Sequence, residues 1–288
     1  MRGPPDERDA DALLEFGVVN LDKPPGPSAH QMTGWVRDLA GAERAAHAGT
    51  LDPKVTGCLP VLLGDATRLA QVFLEGAKEY VAVLELHGRP PSDLEAVVAE
   101  FEGELYQKPP RKSAVSRRLR TREVYDLDLL ELRDRQALLR IRCESGTYVR
   151  KLCHDLGLAL GTGAHMGHLR RTATDPFDDS DLATLHDLAD ALAFAAEGDE
   201  ELLRQTVRPA ERALEHLPRV VIAESAAEQV AQGAPVYAPG VVAADGGVER
   251  GRLLACYTPD GAAVCLGRLV GDPDAERGEV VRLERVLV

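Results

Sequence analysis

His47-Ala48-Gly49-Thr50-Leu51-Asp52-Pro53-Lys54-Val55-Thr56-Gly57 places a single carboxylate, Asp52, in a stretch too rich in glycine and proline to continue a helix or a strand. Pro53 fixes its own φ and pushes Asp52 toward an extended conformation, while Gly49 and Gly57 let the backbone approach a neighbour closely. The apolar run Cys58-Leu59-Pro60-Val61-Leu62-Leu63 that follows is able to anchor the loop in a core. Alone, Leu-Asp-Pro reads as a turn with an Asx cap. A rigidly held nucleophile is the other reading, and the rest of the chain decides between them.

The 288 residues suffice for one large domain, or a large one with a small one, and 44% apolar composition supports a real core. No stretch approaches the roughly 18 to 20 uninterrupted apolar residues of a membrane helix. Met1 to Asp11 is polar and charged, without the apolar region of a signal peptide, so a cytoplasmic protein is expected. Five cysteines, none at Cys-x-x-Cys spacing, indicate small core residues, neither a disulfide framework nor a zinc cage.

Acidic side chains number 47 against 34 basic, a formal net charge of −13 spread along the chain. Such a protein does not attract nucleic acid by bulk electrostatics. Either it has no nucleic-acid partner, or it works in very high salt, where an acidic surface favours solubility. Lys108 to Arg122 contains seven cations and no acid, a local concentration that favours the second explanation.

Residues 1–16 read as a flexible acidic lead-in. Gly17 to Leu21 is expected as a strand, followed by the stiff loop Asp22-Lys23-Pro24-Pro25-Gly26-Pro27-Ser28, which carries Lys23 and ends on Ser28 as a helix N-cap. Met32, Val36 and Leu39 then recur at helical spacing. Asp65 is expected to cap a short helix. Tyr80, Ala82, Leu84 and Leu86 alternate along a strand, and Ser92 with Glu95 forms a capping-box pattern. A hairpin around Asp134-Arg135 leads into a helix that buries Val149, Leu152, Cys153 and Leu156, with Tyr148 and Arg150 at its start. Gly161 to Gly167 lacks dinucleotide-fingerprint spacing, and His165 and His168 lack further ligands, so no metal site is expected. Residues 184–217 are helical in pattern. From Arg219 the texture turns to short strands, with a capping-box pattern at Ser225 and Glu228, a hairpin on Thr258-Pro259-Asp260-Gly261 and a last strand from Val280.

Leu21 to Ser28, His47 to Gly57, Lys78-Glu79-Tyr80, Gly146-Thr147-Tyr148-Val149-Arg150 and His168-Leu169-Arg170-Arg171-Thr172 resemble, in that order, the motifs of the TruB and dyskerin family of pseudouridine synthases. The likeness covers about residues 17–175, and the tail, through Gly233-Ala234-Pro235-Val236 and Pro239-Gly240-Val241, is similar to a PUA domain. The resemblance implies an α+β protein: a pseudouridine synthase fold with a central mixed, mostly antiparallel sheet and flanking helices over residues 17–217, and a small β-barrel-like PUA RNA-binding domain over 218–288, separable from the rest. It implies isomerisation of uridine to pseudouridine in RNA, without metal or other cofactor. Asp52 matches the catalytic aspartate, Arg150 the arginine paired with it, and Tyr80 the tyrosine that stacks on the target uracil. Tyr148 and Leu169 match walls of the substrate pocket, and Lys23 and His47 the supporting loops, His47 as an RNA contact.

Within that family the motif wording and compact tail resemble the archaeal branch, the catalytic subunit of H/ACA guide ribonucleoproteins, and the pervasive acidity suggests a halophile. The partners implied are substrate RNA (tRNA, rRNA), an H/ACA guide RNA and the small accessory proteins of the archaeal particle, with no membrane. A stand-alone synthase acting on uridine 55 of tRNA and a non-catalytic RNA-binding scaffold remain alternatives.

Overall fold

In the computed structural model, which describes residues 2–109, 116 and 118–288, runs of β-branched and apolar residues build one long sheet from residues 17–209 of the chain. Its strands are β1 (Gly17–Lys23), β2 (Ala45–His47), β3 (Thr56–Leu63), β4 (Lys78–Leu86), β5 (Gly103–Gln107), β6 (Arg120–Arg133), β7 (Gln136–Cys143), β8 (Ala164–Thr174), β9 (Phe177–Asp178) and β10 (Arg208–Pro209). They run in the order β10-β1-β3-β8-β4-β7-β6-β5, with β2 on β3 and β9 on β8. All named pairs are antiparallel except β3 with β8. A mixed, mostly antiparallel sheet was the expectation. A second sheet holds β11 (Arg219–Ile222), β12 (Val236–Tyr237), β13 (Val241–Ala244), β14 (Leu253–Tyr257), β15 (Ala263–Leu269) and β16 (Glu279–Val286).

The helices are α1 (Ala10–Glu15), α2 (Ala29–Leu39), α3 (Leu94–Ala99), α4 (Val149–Ala159), α5 (Leu185–Ala196), α6 (Glu201–Thr206) and α7 (Glu224–Ala231), with 3-10 turns at Gly64–Leu74 and Ala210–Leu214. Ser28 caps α2 in a reciprocal box with Gln31. Thr184 does the same for α5 with Asp187. The capping patterns at Ser92 and Ser225 are not used: the N-caps are Asp93 and Ala223, neither with a side-chain bond, because these helices are short and held by packing of Leu94, Val98, Ala227 and Val230. Asp65 caps nothing either; it pairs with Arg2 and Arg44. Among the described residues, no helix is long and apolar enough to cross a membrane.

One expectation is corrected by packing. The lead-in is folded against the body: Leu13 and Phe16 are buried, and Arg8 forms a bidentate pair with Glu211, both contacts at 2.7 Å. The tail keeps a core of its own, with Val220, Ile222, Leu254, Val264 and Val281 buried, and also shares one with the body. One apolar cluster unites Phe16, Val18, Leu62 and Phe73 with Leu253, Ala255, Leu266 and Leu287 of the second sheet. Glu211 adds a further tie, accepting from the Ala263 N–H at 3.0 Å. Short-range sequence signals register a change of texture at residue 218, whereas long-range burial carries the core across it. In the basic stretch, Arg111, Lys112 and Arg117 lie outside the described residues.

Candidate active site

Asp52 lies on the connection between β2 and β3, and that connection is pinned from beneath. Ala48, Leu51 and Val55 are buried, so three apolar side chains fix a loop that carries an exposed acid. The Val55 N–H returns to the Asp52 carbonyl at 3.0 Å, and the Gly26 N–H donates to the Pro53 carbonyl at 2.8 Å. Two buried cations hold further carbonyls in and beside the loop.

The first is Lys23. Its ammonium donates to the carbonyls of Pro24 and Pro53 at 3.0 Å and Val55 at 2.7 Å, and the side chain has no exposed surface. Burial lowers its pKa. The expectation of a substrate-binding Lys23 is therefore corrected: an ammonium with three donors, all given to backbone carbonyls, supports the loop from inside. The second is Arg171, 1% exposed, which donates from Nε to the Cys58 carbonyl at 2.7 Å and from Nη2 to the Ala48 carbonyl at 3.4 Å.

Strand register explains why both reach the same loop. Lys23 faces Gly57 across β1 and β3, Gly57 faces Arg171 across β3 and β8, and Arg171 faces Tyr80 across β8 and β4. These four residues form one row across the sheet. Gly57 has φ +97°, and a Cβ there would stand 2.2 Å from the Arg171 carbonyl oxygen, so glycine is required for the two cations to flank it.

Arg150 comes from the first turn of α4, and its Nη2 donates to Asp52 Oδ2. Both side chains are about half exposed, at 53% and 52%, so the pair opens to solvent and to a substrate. A guanidinium favours the ionised acid and sets its orientation. Tyr80 and Leu169 are half-buried where the two cores flanking the sheet meet, each packed against both. Burial raises the Tyr80 phenol, and the neighbouring Arg171 charge opposes that rise. Tyr148 is the N-cap residue of α4, two positions before Arg150. His47 ends β2; burial, then the charges of Arg171 and His30, lower its pKa, leaving a neutral imidazole at neutral pH. His165 hydrogen-bonds His87 at 3.0 Å, and among the described residues no group of three potential ligands forms a metal site.

The structure thus joins Asp52 to Arg150, sets Tyr80 and Leu169 on neighbouring strands of one sheet, and withdraws Lys23 into the scaffold. Arg171 was not singled out in the sequence. In a strand one of the consecutive Arg170 and Arg171 must face inward, but alternation alone does not say which. Arg170 pairs with Asp22 at 3.0 Å on the partly exposed side, and Arg171 takes the core.

Family models match nearly the whole chain. The TruB family pseudouridylate synthase N-terminal domain matches residues 37–93 and 88–149, and the tRNA pseudouridylate synthase B C-terminal domain matches 150–215. A DKCLD domain matches residues 3–33 and a PUA domain 218–287. The chain is 68% identical to the "Probable tRNA pseudouridine synthase B" of Halobacterium salinarum, covering 100% of this chain and 99% of that protein. The chain belongs to the TruB family of pseudouridine synthases. The relative of the same name in Haloarcula marismortui is 66% identical over 100% of this chain and 94% of its own.

Solved structures of TruB-family relatives carry the same fold. A chain in the crystal structure of a Cbf5-Nop10-Gar1 complex is 46% identical, with a TM-score of 0.94 over 100% of this chain and 89% of that one. A chain in the structure of an H/ACA ribonucleoprotein bound to a substrate RNA containing 2′-deoxyuridine is 44% identical, with a TM-score of 0.92 over 99% and 89%.

Proposed function

We propose that this TruB-family chain isomerises uridine to pseudouridine in RNA as the catalytic subunit of an archaeal H/ACA-type guide ribonucleoprotein. The observation that carries the reading is the Asp52–Arg150 pair, solvent-open on a loop fixed from inside, in a chain that matches end to end a relative solved in such a particle with substrate RNA. The isomerisation breaks the C1′–N1 bond, forms a C1′–C5 bond, and moves a proton from C5 to N1. Asp52 acts at the sugar, by attack or by taking the 2′ proton to start an elimination, and Arg150 keeps it ionised and aimed. Tyr80 stacks on the flipped uracil beside C5, while Tyr148 and Leu169 wall the pocket and exclude water from the cleaved intermediate. His47, neutral and at the mouth of the loop, contacts RNA. No residue of this set needs a cofactor for these roles. The partners are substrate RNA, a guide RNA and the particle's small proteins, and the place of work is the cytoplasm.

A second reading, unguided action on tRNA, is favoured by the name shared by the haloarchaeal relatives. The deciding assay follows tritium release from C5 of uridine in RNA. Guided substrate with the accessory proteins should release tritium with the native protein and none with Asp52→Ala. Release from bare tRNA at the same rate, without guide or accessory proteins, would move the assignment to the unguided reading.

A further inference from the structure

β5 alternates exposed Glu104 and Tyr106 with inward Leu105 and Gln107, and Leu105 packs on the apolar core. Gln107 therefore occupies a position where an apolar side chain would serve packing equally well. It is 2% exposed. A buried amide carries a desolvation cost unless both its ends are hydrogen-bonded. Here both ends go to one residue: Gln107 Oε1 accepts from the Tyr148 N–H at 2.8 Å, and Nε2 donates to the Tyr148 carbonyl at 3.4 Å.

Tyr148 is where the chain stops being loop and becomes α4. It has extended backbone angles, φ −95° and ψ 95°, and offers no side-chain cap. Its carbonyl starts the helix, accepting from the Lys151 and Leu152 N–H groups at 2.9 and 3.0 Å. Arg150 sits in that first turn, with half its side chain in solvent and its far end on Asp52. A long arginine side chain is aimed only as well as the backbone it springs from. On the other side, Glu144 ties the preceding turn to β6 through Arg122 at 2.8 Å and the Glu123 N–H at 3.3 Å. Gln107 ties the backbone two residues before Arg150.

We propose that Gln107 is a positioning residue for the reaction: its amide clasps the Tyr148 backbone like a neighbouring strand and so fixes the root of α4 from which Arg150 reaches Asp52. This rests on the assignment of Asp52 and Arg150 above. Displacing a reacting group by about 1 Å costs on the order of 100-fold. Gln107→Met keeps the shape and removes both hydrogen bonds.

The test measures single-turnover rate, RNA affinity and melting temperature in the assembled particle for Gln107→Met, with Arg150 and with Arg150→Lys. The expected result is a rate about 10- to 100-fold lower, with RNA affinity within about threefold, and a loss that shrinks to under about threefold once Arg150 is already lysine. A merely structural role would lower the rate equally in both backgrounds. Equal loss in both, or a Gln107→Met rate within about threefold of native, overturns the proposal. Should Gln107→Met not fold, Gln107→Asn, whose amide is one methylene too short to reach, is read by the same criteria. Asp52→Ala runs alongside: if it stays active, the underlying assignment fails, independently of Gln107.

Discussion

Replacing Lys23 by methionine separates a loop support from an RNA contact. The ammonium's three donors all go to carbonyls, and two of these, Pro53 and Val55, follow the catalytic candidate Asp52 in its loop. A buried carbonyl left without its donor costs about 1–3 kcal/mol; Pro53 keeps the Gly26 N–H, so two, Pro24 and Val55, are affected. Methionine also removes a buried ammonium, whose effective desolvation penalty is several kcal/mol, so part of the loss is recovered. The expected net destabilisation is about 2–4 kcal/mol on these two grounds. For a chain of this size that is a fall in Tm of roughly 5–10 °C. The turnover rate should fall as well, because the loop that aims Asp52 is loosened.

RNA binding should behave differently. A lysine on a phosphate would, on removal, reduce the slope of log affinity against log salt by about 0.7–0.9. A lysine inside the loop leaves that slope unchanged. Melting in the working buffer and RNA titration at three or more salt concentrations give both readouts. An unchanged Tm together with a shallower salt slope would refute the buried clamp and restore Lys23 as a substrate contact.

Other perturbations have equally definite outcomes. Arg150→Lys should lose most activity with the melting temperature retained, since a point charge replaces a planar fork on a half-exposed pair; turnover near the native rate in a tritium-release assay would contradict this. Glu211→Ala removes the buried partner of Arg8 and the acceptor of the Ala263 N–H, and should cost about 3–5 kcal/mol in a denaturant melt; a change under about 1 kcal/mol would mean the N-terminal segment and tail are not tied through it. Burial, with Arg171 adding, brings Lys78 down to about 8 from 10.5, so the folded state holds fewer protons than the unfolded one between those values. Stability of the native protein relative to Lys78→Met should therefore rise from about pH 8 to pH 10.5 and be flat below, and a falling difference across that window would be inconsistent with a depressed folded-state pKa. With a net charge of −13, the protein should melt at higher temperature in molar KCl, where the Debye length is about 3 Å, than in dilute buffer; equal melting temperatures would remove the high-salt explanation of its acidity.

What local chemistry dictates was legible in the chain itself. Proline and glycine around Asp52 mark a rigid loop; alternation marks β4, and 3.6-residue spacing marks α4 with the buried face it has and α2 with Met32 and Val36 buried but Leu39 exposed. The hairpins at Asp134-Arg135 and Thr258 to Gly261 follow from turn chemistry. Five motifs in order named the family, and with it Asp52, Arg150 and Tyr80. Tertiary structure alone decided which way ambiguous polar side chains point. Lys23 beside two prolines looks exposed, because nothing local reveals three carbonyls brought from Pro24, Pro53 and Val55. Arg171 and Gln107 look like surface residues for the same reason, since each is satisfied by backbone distant in sequence: Cys58 and Ala48 for one, Tyr148 for the other. The N-terminal segment and the tail read as separate pieces because burial is a property of pairs of surfaces. Phe16, Leu62 and Leu266 meet in one cluster that bridges the body and the tail, and no window of sequence contains that meeting.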